Sequence, residues 1–331
     1  MAGLDERRTP LLVVAGPTAG GKTALGVSLG EALGGEVVSA DSMQIYRGME
    51  IASAKPRPEE MRGVPHHLIG EIDPSERFSV ARYAQAAREV IAGIISRGKV
   101  PILVGGAGLY IQAVAENLHF VDVESDLALR AAYALRMERE GGQALWEELR
   151  RCDPAAAERI HPNDGKRVLR ALALFSAGGV TLSEQNARSR QTPAPYECRM
   201  LLLLPRERRT LYDRINARTE DMLARGLEEE ARQFFNRNAG QTAAQAIGYK
   251  ELRPYLCGEC AREAAVERLK RETRRYAKRQ ISWFLRQERE WNGRLPGSCR
   301  RLWIEELPCE DPLPEEWHGM FGFKKDVRDK K

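Results

Sequence analysis

Residues 16–23 read Gly-Pro-Thr-Ala-Gly-Gly-Lys-Thr, and glycines, lysine and hydroxyl at that spacing do one kind of chemistry well: they wrap a phosphate. In the loop Gly16, Pro17, Thr18, Ala19, Gly20 and Gly21 every residue but the proline has a backbone N–H that can turn inward around phosphate oxygens, at the positive end of a following helix. Lys22 adds a point charge, and Thr23 offers a hydroxyl suited to ligating Mg2+. A second group follows in Ser39-Ala40-Asp41-Ser42-Met43-Gln44-Ile45-Tyr46. There Asp41 can take a proton from a nucleophile or hold a metal through water. Ser-Ala-Asp-Ser is also good helix-capping chemistry, so both uses of Asp41 stand at this point. A nucleotide hydrolase needs a further acid at the end of a nearby strand. The candidate strand Pro101 to Val104 ends in Gly105-Gly106 and supplies none.

These residues need elements to position them. Leu11 to Ala15 reads as a buried strand, and Lys22 to about Leu33 as the helix after the glycine-rich turn. Glu36 to Ser39 is a second strand. Ser79 can cap a helix running to Gly98, and Pro101 to Val104 is a third strand. That rhythm predicts right-handed βαβ crossovers and a parallel sheet covered on both faces. Beyond Asn117 the strand signal vanishes, and residues 125–190 read as helices: Leu127 to Glu140, Gly142 to Arg151, Pro154 to Ile160 and Lys166 to Ala177. Met200 to Leu204 and Arg301 to Ile304 then restore strands. The predicted fold is an α/β P-loop NTPase-like core, residues 10–116 and 198–306, with a helical insertion at 117–197. A Pro-, Glu- and Lys-rich tail, 307–331, is expected to be loosely ordered.

The 331 residues are 43% apolar and carry a net charge of +5, the balance of a globular protein with a real core. No apolar run nears the roughly 20 residues of a membrane span, and the N-terminus lacks a signal-like apolar stretch. A cytoplasmic, membrane-free, monomeric protein is expected. The basic excess is local, with ten Lys or Arg against four acids between Arg262 and Arg289. Such a run suits either a polyanion-facing surface or a solvated helix. Six scattered cysteines do not form a disulfide framework. Cys257-Gly258-Glu259-Cys260 has no partner pair at zinc-finger spacing, which favours reduced thiols in a turn.

Taken in order, the motifs are more specific than the phosphate loop alone. GPTAGGKT at 16–23, SADSMQIY at 39–46, ASAKP at 52–56 and VPHH at 64–67 are followed by GGAGLY at 105–110 and HPNDGKRVLRAL at 161–172. IGYKE at 247–251 and RRYAKRQISWF at 274–284 complete the set. From Leu11 to about Trp283 the chain resembles the tRNA dimethylallyltransferases, the bacterial tRNA isopentenyltransferase family.

That resemblance implies transfer of a dimethylallyl group from dimethylallyl diphosphate to N6 of adenosine 37, in tRNAs reading codons that start with U. It implies Mg2+, the phosphate loop with Arg218 on the diphosphate, and Asp41 as the base. The acceptor adenine would leave its stack and pass Asp41, Ser42, Met43 and Gln44, with Gln44 able to read a purine edge. Ala107, Arg130, Lys166, Arg167, Val168, Leu169 and Arg170 match segments that meet tRNA. So do Gln245, Ala246, Ile247, Gly248, Tyr249 and Lys250. Two departures stand out: Ala107 replaces the family's usual threonine in GGTGLY, and Ser53 replaces a threonine while keeping the hydroxyl. The competing reading is a P-loop kinase or NTPase acting on a small metabolite, which needs neither the helical insertion nor the basic run.

Overall fold

A computed structural model describes residues 8–118, 127–189, 193–237, 240, 242–309 and 311–322. Six strands, β1 (Thr9–Ala15), β2 (Glu36–Ala40), β3 (His66–His67), β4 (Pro101–Gly105), β5 (Tyr196–Leu204) and β6 (Cys299–Trp303), form one sheet. Its order is β3-β2-β4-β1-β5-β6 and every pairing is parallel. The chain leaves β1 towards β2 on one side, but leaves β4 towards β5 on the other. The crevice at the carboxyl ends of β1 and β4 is therefore the switch point at which such sheets bind ligands.

Alternation along β1 shows why both faces are covered. Leu11, Val13 and Ala15 enter one apolar core with Tyr83, Ile91, Ile111 and Phe284. Leu12 and Val14 enter another with Leu25, Leu29, Leu211 and Ile215. A strand apolar on both faces must lie inside the sheet, so the parallel arrangement follows from the sequence pattern.

The chain divides into two compact units, Met1–Ala115 with Pro195–Lys331, and Glu116–Ala194. The second unit is helical and has its own core of Tyr133, Leu145, Leu149, Val168, Ala171 and Leu172. Its helices Leu127–Cys152 and Gly165–Gly178 make most of that core. Gly141 has φ +83 inside the first of these, which marks the break expected between two helices there. Asp153 caps the short helix Pro154–Ala157 by accepting from Ala156 N at 3.0 Å.

The expectation of a loose tail from 307 needs correcting for its described part. Leu313, Trp317 and Phe321 are almost wholly buried in the core beneath Leu12 and Val14. Trp317 and Phe321 lie one turn apart on the helix Glu315–Phe321 and so share its inner face. Residues 323–331 lie outside the described residues. The short β3 strand went unread, because two histidines carry no strand periodicity.

Candidate active site

The phosphate loop joins β1 to the helix Lys22–Leu33 and closes on itself through a Gly20 N–H bond to the Pro17 carbonyl at 3.2 Å. Gly16 cannot be replaced: at φ +149, a Cβ would come within 2.6 Å of the Leu203 carbonyl. Lys22 Nζ donates to the Pro17 carbonyl at 2.7 Å. Lys22 lines the cavity, and burial first, then the charge of Arg218, lowers its pKa to about 8, opposed by Asp41. Arg218, on the helix Arg208–Ala224, donates to Thr18 Oγ1 at 3.5 Å, and burial pulls its own pKa down as well. Two buried cations lining one cavity, with Asp41 the acid that acts on both, create a demand for an anion.

Across the crevice, β2 ends at Ala40 and delivers Asp41. Its Oδ1 accepts the backbone N–H groups of Met43 at 2.8 Å and Gln44 at 3.3 Å. The carboxylate therefore caps a turn and also faces a ligand space. The glycines ending β4 allow this approach: a Cβ on Gly105 would lie 2.1 Å from the Ala40 carbonyl. Ala107 N donates to that carbonyl at 3.1 Å.

The two ends meet in one cavity of about 300 Å³. Thr18, Ala19, Lys22, Thr23 and Arg218 are among its lining residues. So are Asp41, Ser42, Met43 and Gln44, together with Gln245, Ala246, Ile247 and Lys250. Thr23 and Asp41 present a hydroxyl and a carboxylate to the same space. With the oxygens of a bound diphosphate they make the hard donor set that magnesium takes, so these residues fit the ion. Among the described residues, no cluster of three or more His, Cys, Asp or Glu is placed to hold a metal by itself.

Several residues expected at the tRNA are buried or already hydrogen-bonded. Tyr249 is fully buried, its ring 4.4 Å from that of Phe234 and its hydroxyl donating to Glu230 Oε1 at 2.9 Å. It is a core residue and has no face to offer a base. Val168 is fully buried in the helical unit and Leu169 packs against the same cluster. Ala246 and Gly248 are also buried. The amide of Gln44 is already engaged: Oε1 accepts from Ser39 Oγ at 2.9 Å, and Nε2 donates to the Ala54 carbonyl at 3.2 Å. A purine-edge contact would have to displace those bonds.

Lys166, Arg167 and Arg170 do lie exposed on the helix Gly165–Gly178, as do Gln245 and Lys250 near the cavity. The Arg130 side chain falls outside the described residues. Arg214 donates to the Ile304 carbonyl at 2.7 Å and serves the junction with β6. Ala107 is half-buried, and its carbonyl accepts from Tyr110 and Ile111 at the start of the helix Gly108–Ala115. His66 Nδ1 bonds to the Val64 carbonyl and His67 Nε2 to Glu36, structural uses for both rings.

Sequence reading missed Gln280, on the helix Arg262–Arg294. It is buried, lines the cavity and bonds to both the phosphate loop and the end of β4. Nothing about one glutamine in a basic helix signals this, since its partners lie 262 and 174 residues away. Tyr276, one turn earlier, also lines the cavity, and burial raises its pKa.

Fold and site together define a P-loop α/β protein whose phosphate loop and Asp41 line one cavity, with no acid on β4. The IPP transferase family model matches residues 44–288. The chain belongs to that family, the tRNA dimethylallyltransferases. It is 48% identical to the tRNA dimethylallyltransferase of Geobacillus thermodenitrificans, over 84% of this chain and 88% of the relative. With that of Symbiobacterium thermophilum it shares 44% identity over 92% of this chain and 98% of the relative. Among solved structures it is similar to the full-length tRNA isopentenylpyrophosphate transferase of Bacillus halodurans, with a TM-score of 0.62 and 41% identity over 90% of each chain. It is similar also to a eukaryotic dimethylallyltransferase acting on tRNA, with a TM-score of 0.73 and 30% identity over 94% of this chain and 76% of that one.

Proposed function

We propose that this protein transfers the dimethylallyl group of dimethylallyl diphosphate to N6 of adenosine 37, in tRNAs reading codons that start with U, and releases diphosphate. One observation carries the reading: the cations Lys22 and Arg218 and the carboxylate Asp41 line one and the same cavity. A donor whose diphosphate sits in residues 16–23 directs its carbon towards Asp41. The C–O bond to diphosphate breaks and a bond from N6 to that carbon forms. Charge developing on the departing oxygen is met by Lys22, Arg218 and the loop N–H groups. The amine proton passes to the Asp41 carboxylate, which the Met43 and Gln44 N–H groups orient. Mg2+, held through Thr23 and the diphosphate oxygens, would supply further neutralisation of the leaving group. No water needs activation, in keeping with the glycines at the end of β4.

Exposed Lys166, Arg167 and Arg170 on the helical unit suit phosphate contacts with the tRNA backbone. No helix among the described residues is long and apolar enough to cross a membrane. The test is incubation with unmodified tRNA, radiolabelled dimethylallyl diphosphate and Mg2+. Label should appear on the adenine 3′ of the anticodon. ATP hydrolysis without labelled tRNA would instead support the metabolite kinase.

A further inference from the structure

We infer that Gln280 is a positioning residue: its side chain is a strut that sets the separation between the diphosphate cradle and the proton-accepting end of the cavity. The inference rests on the transfer reaction proposed above. Gln280 Oε1 accepts the Thr18 N–H at 2.8 Å, and Nε2 donates to the Gly106 carbonyl at 3.0 Å. Both ends of one amide are used, on two different loops. From Gly106 the linkage runs on: the next residue, Ala107, donates to the Ala40 carbonyl, and Ala40 precedes Asp41. A continuous path thus joins Thr18, in the leaving-group cradle, to the base.

The strut is fixed at its root. Ala277 is buried in the core on one face of the sheet and Phe284 in the core on the other, one turn before and after Gln280. Gly106 is fitted to its tip, since a Cβ there would lie 2.3 Å from Nε2. The requirement is an uncharged side chain of this length with an acceptor and a donor on one planar group, and glutamine alone meets it. Leaving-group and acceptor ends that drift apart by a fraction of an ångström lose the near-attack geometry, although each end still binds its ligand.

Two variants test this. Gln280→Met keeps the volume and removes both bonds; Gln280→Glu keeps the acceptor for Thr18 but sets an oxygen against the Gly106 carbonyl. Prenyl transfer, binding of inorganic pyrophosphate with Mg2+, and the thermal midpoint are measured for each, with assays run below both midpoints. We expect kcat to fall about 30-fold or more in both variants, with KM for tRNA and Kd for pyrophosphate within about threefold of wild type. The Thr18 amide should lose protection from hydrogen exchange in Gln280→Met and keep it in Gln280→Glu. Unchanged kcat overturns the strut, as does pyrophosphate affinity that falls in step with kcat. An inactive wild-type chain overturns the transfer reading as well, whereas an active one with unimpaired variants overturns this inference alone.

Discussion

Lys22 turns back on its own loop, its Nζ 2.7 Å from the Pro17 carbonyl oxygen. That bond holds the ammonium inside a site where burial and Arg218 have already lowered its pKa to about 8. Gripping a diphosphate requires the cationic form, which is present below that pH and lost above it. kcat/KM for the donor should therefore decline above about pH 8, as titration over a range of buffers would show. Stability runs the other way. The folded pKa lies below the ordinary 10.5, so between about 8 and 10.5 the unfolded chain binds more protons and folding gains as pH rises. Lys22→Met should abolish this contribution to the stability profile.

Asp41→Asn separates the turn from the chemistry. An asparagine oxygen can still accept from Met43 and Gln44, so the loop should keep its shape. Proton acceptance is lost, and turnover should drop more than about 10²-fold with tRNA affinity nearly unchanged. Single-turnover transfer alongside filter binding checks both; near-normal turnover would remove Asp41 from the reaction.

Ala107 directly precedes the helix Gly108–Ala115, its carbonyl accepting from Tyr110 and Ile111, and it brings no side-chain oxygen to that helix start. Ala107→Thr should stabilise the protein by about 0.5–2 kcal/mol as a helix cap. Activity should be unchanged or raised. Denaturant unfolding and prenyl transfer measure the two effects, and a collapse of activity would mean that the space beside Gly106 has been rebuilt around alanine.

Glu230 accepts from Tyr249 Oη at 2.9 Å and from the backbone N–H groups of Glu50, Ile51 and Ala52 at 2.9, 2.7 and 2.9 Å. Tyr249→Phe removes one of those bonds inside the core. It should cost about 1–3 kcal/mol in urea unfolding and leave KM for tRNA within about twofold, because the ring never meets the nucleic acid.

Lys166→Ala and Arg167→Ala remove exposed charges from the helical unit. Each should weaken tRNA binding regardless of anticodon sequence and reduce the slope of log affinity against log salt by about one. An unchanged slope in both would place the tRNA backbone elsewhere.

The parts of this protein that local sequence determined are those whose physics is local. Residues 16–23 needed only their own glycines, lysine and the strand and helix on either side. Continuous apolar runs in β1, β4 and β5 required a sheet buried on both faces, and Ser79, Asp153 and the turn at Gly141 marked helix limits within a residue or two. Asp41 was legible because an acid directly after a strand must emerge at the ligand edge of a parallel sheet. Tertiary structure alone decided the rest. Only packing showed that Tyr249 and Val168 face cores, that the Gln44 amide is engaged by Ser39 and Ala54, and that Trp317 and Phe321 close the lower face. Gln280 is the clearest case. Its two bonds join segments that no periodicity relates, and only the folded chain brings Thr18, Gly106 and the last long helix to one point.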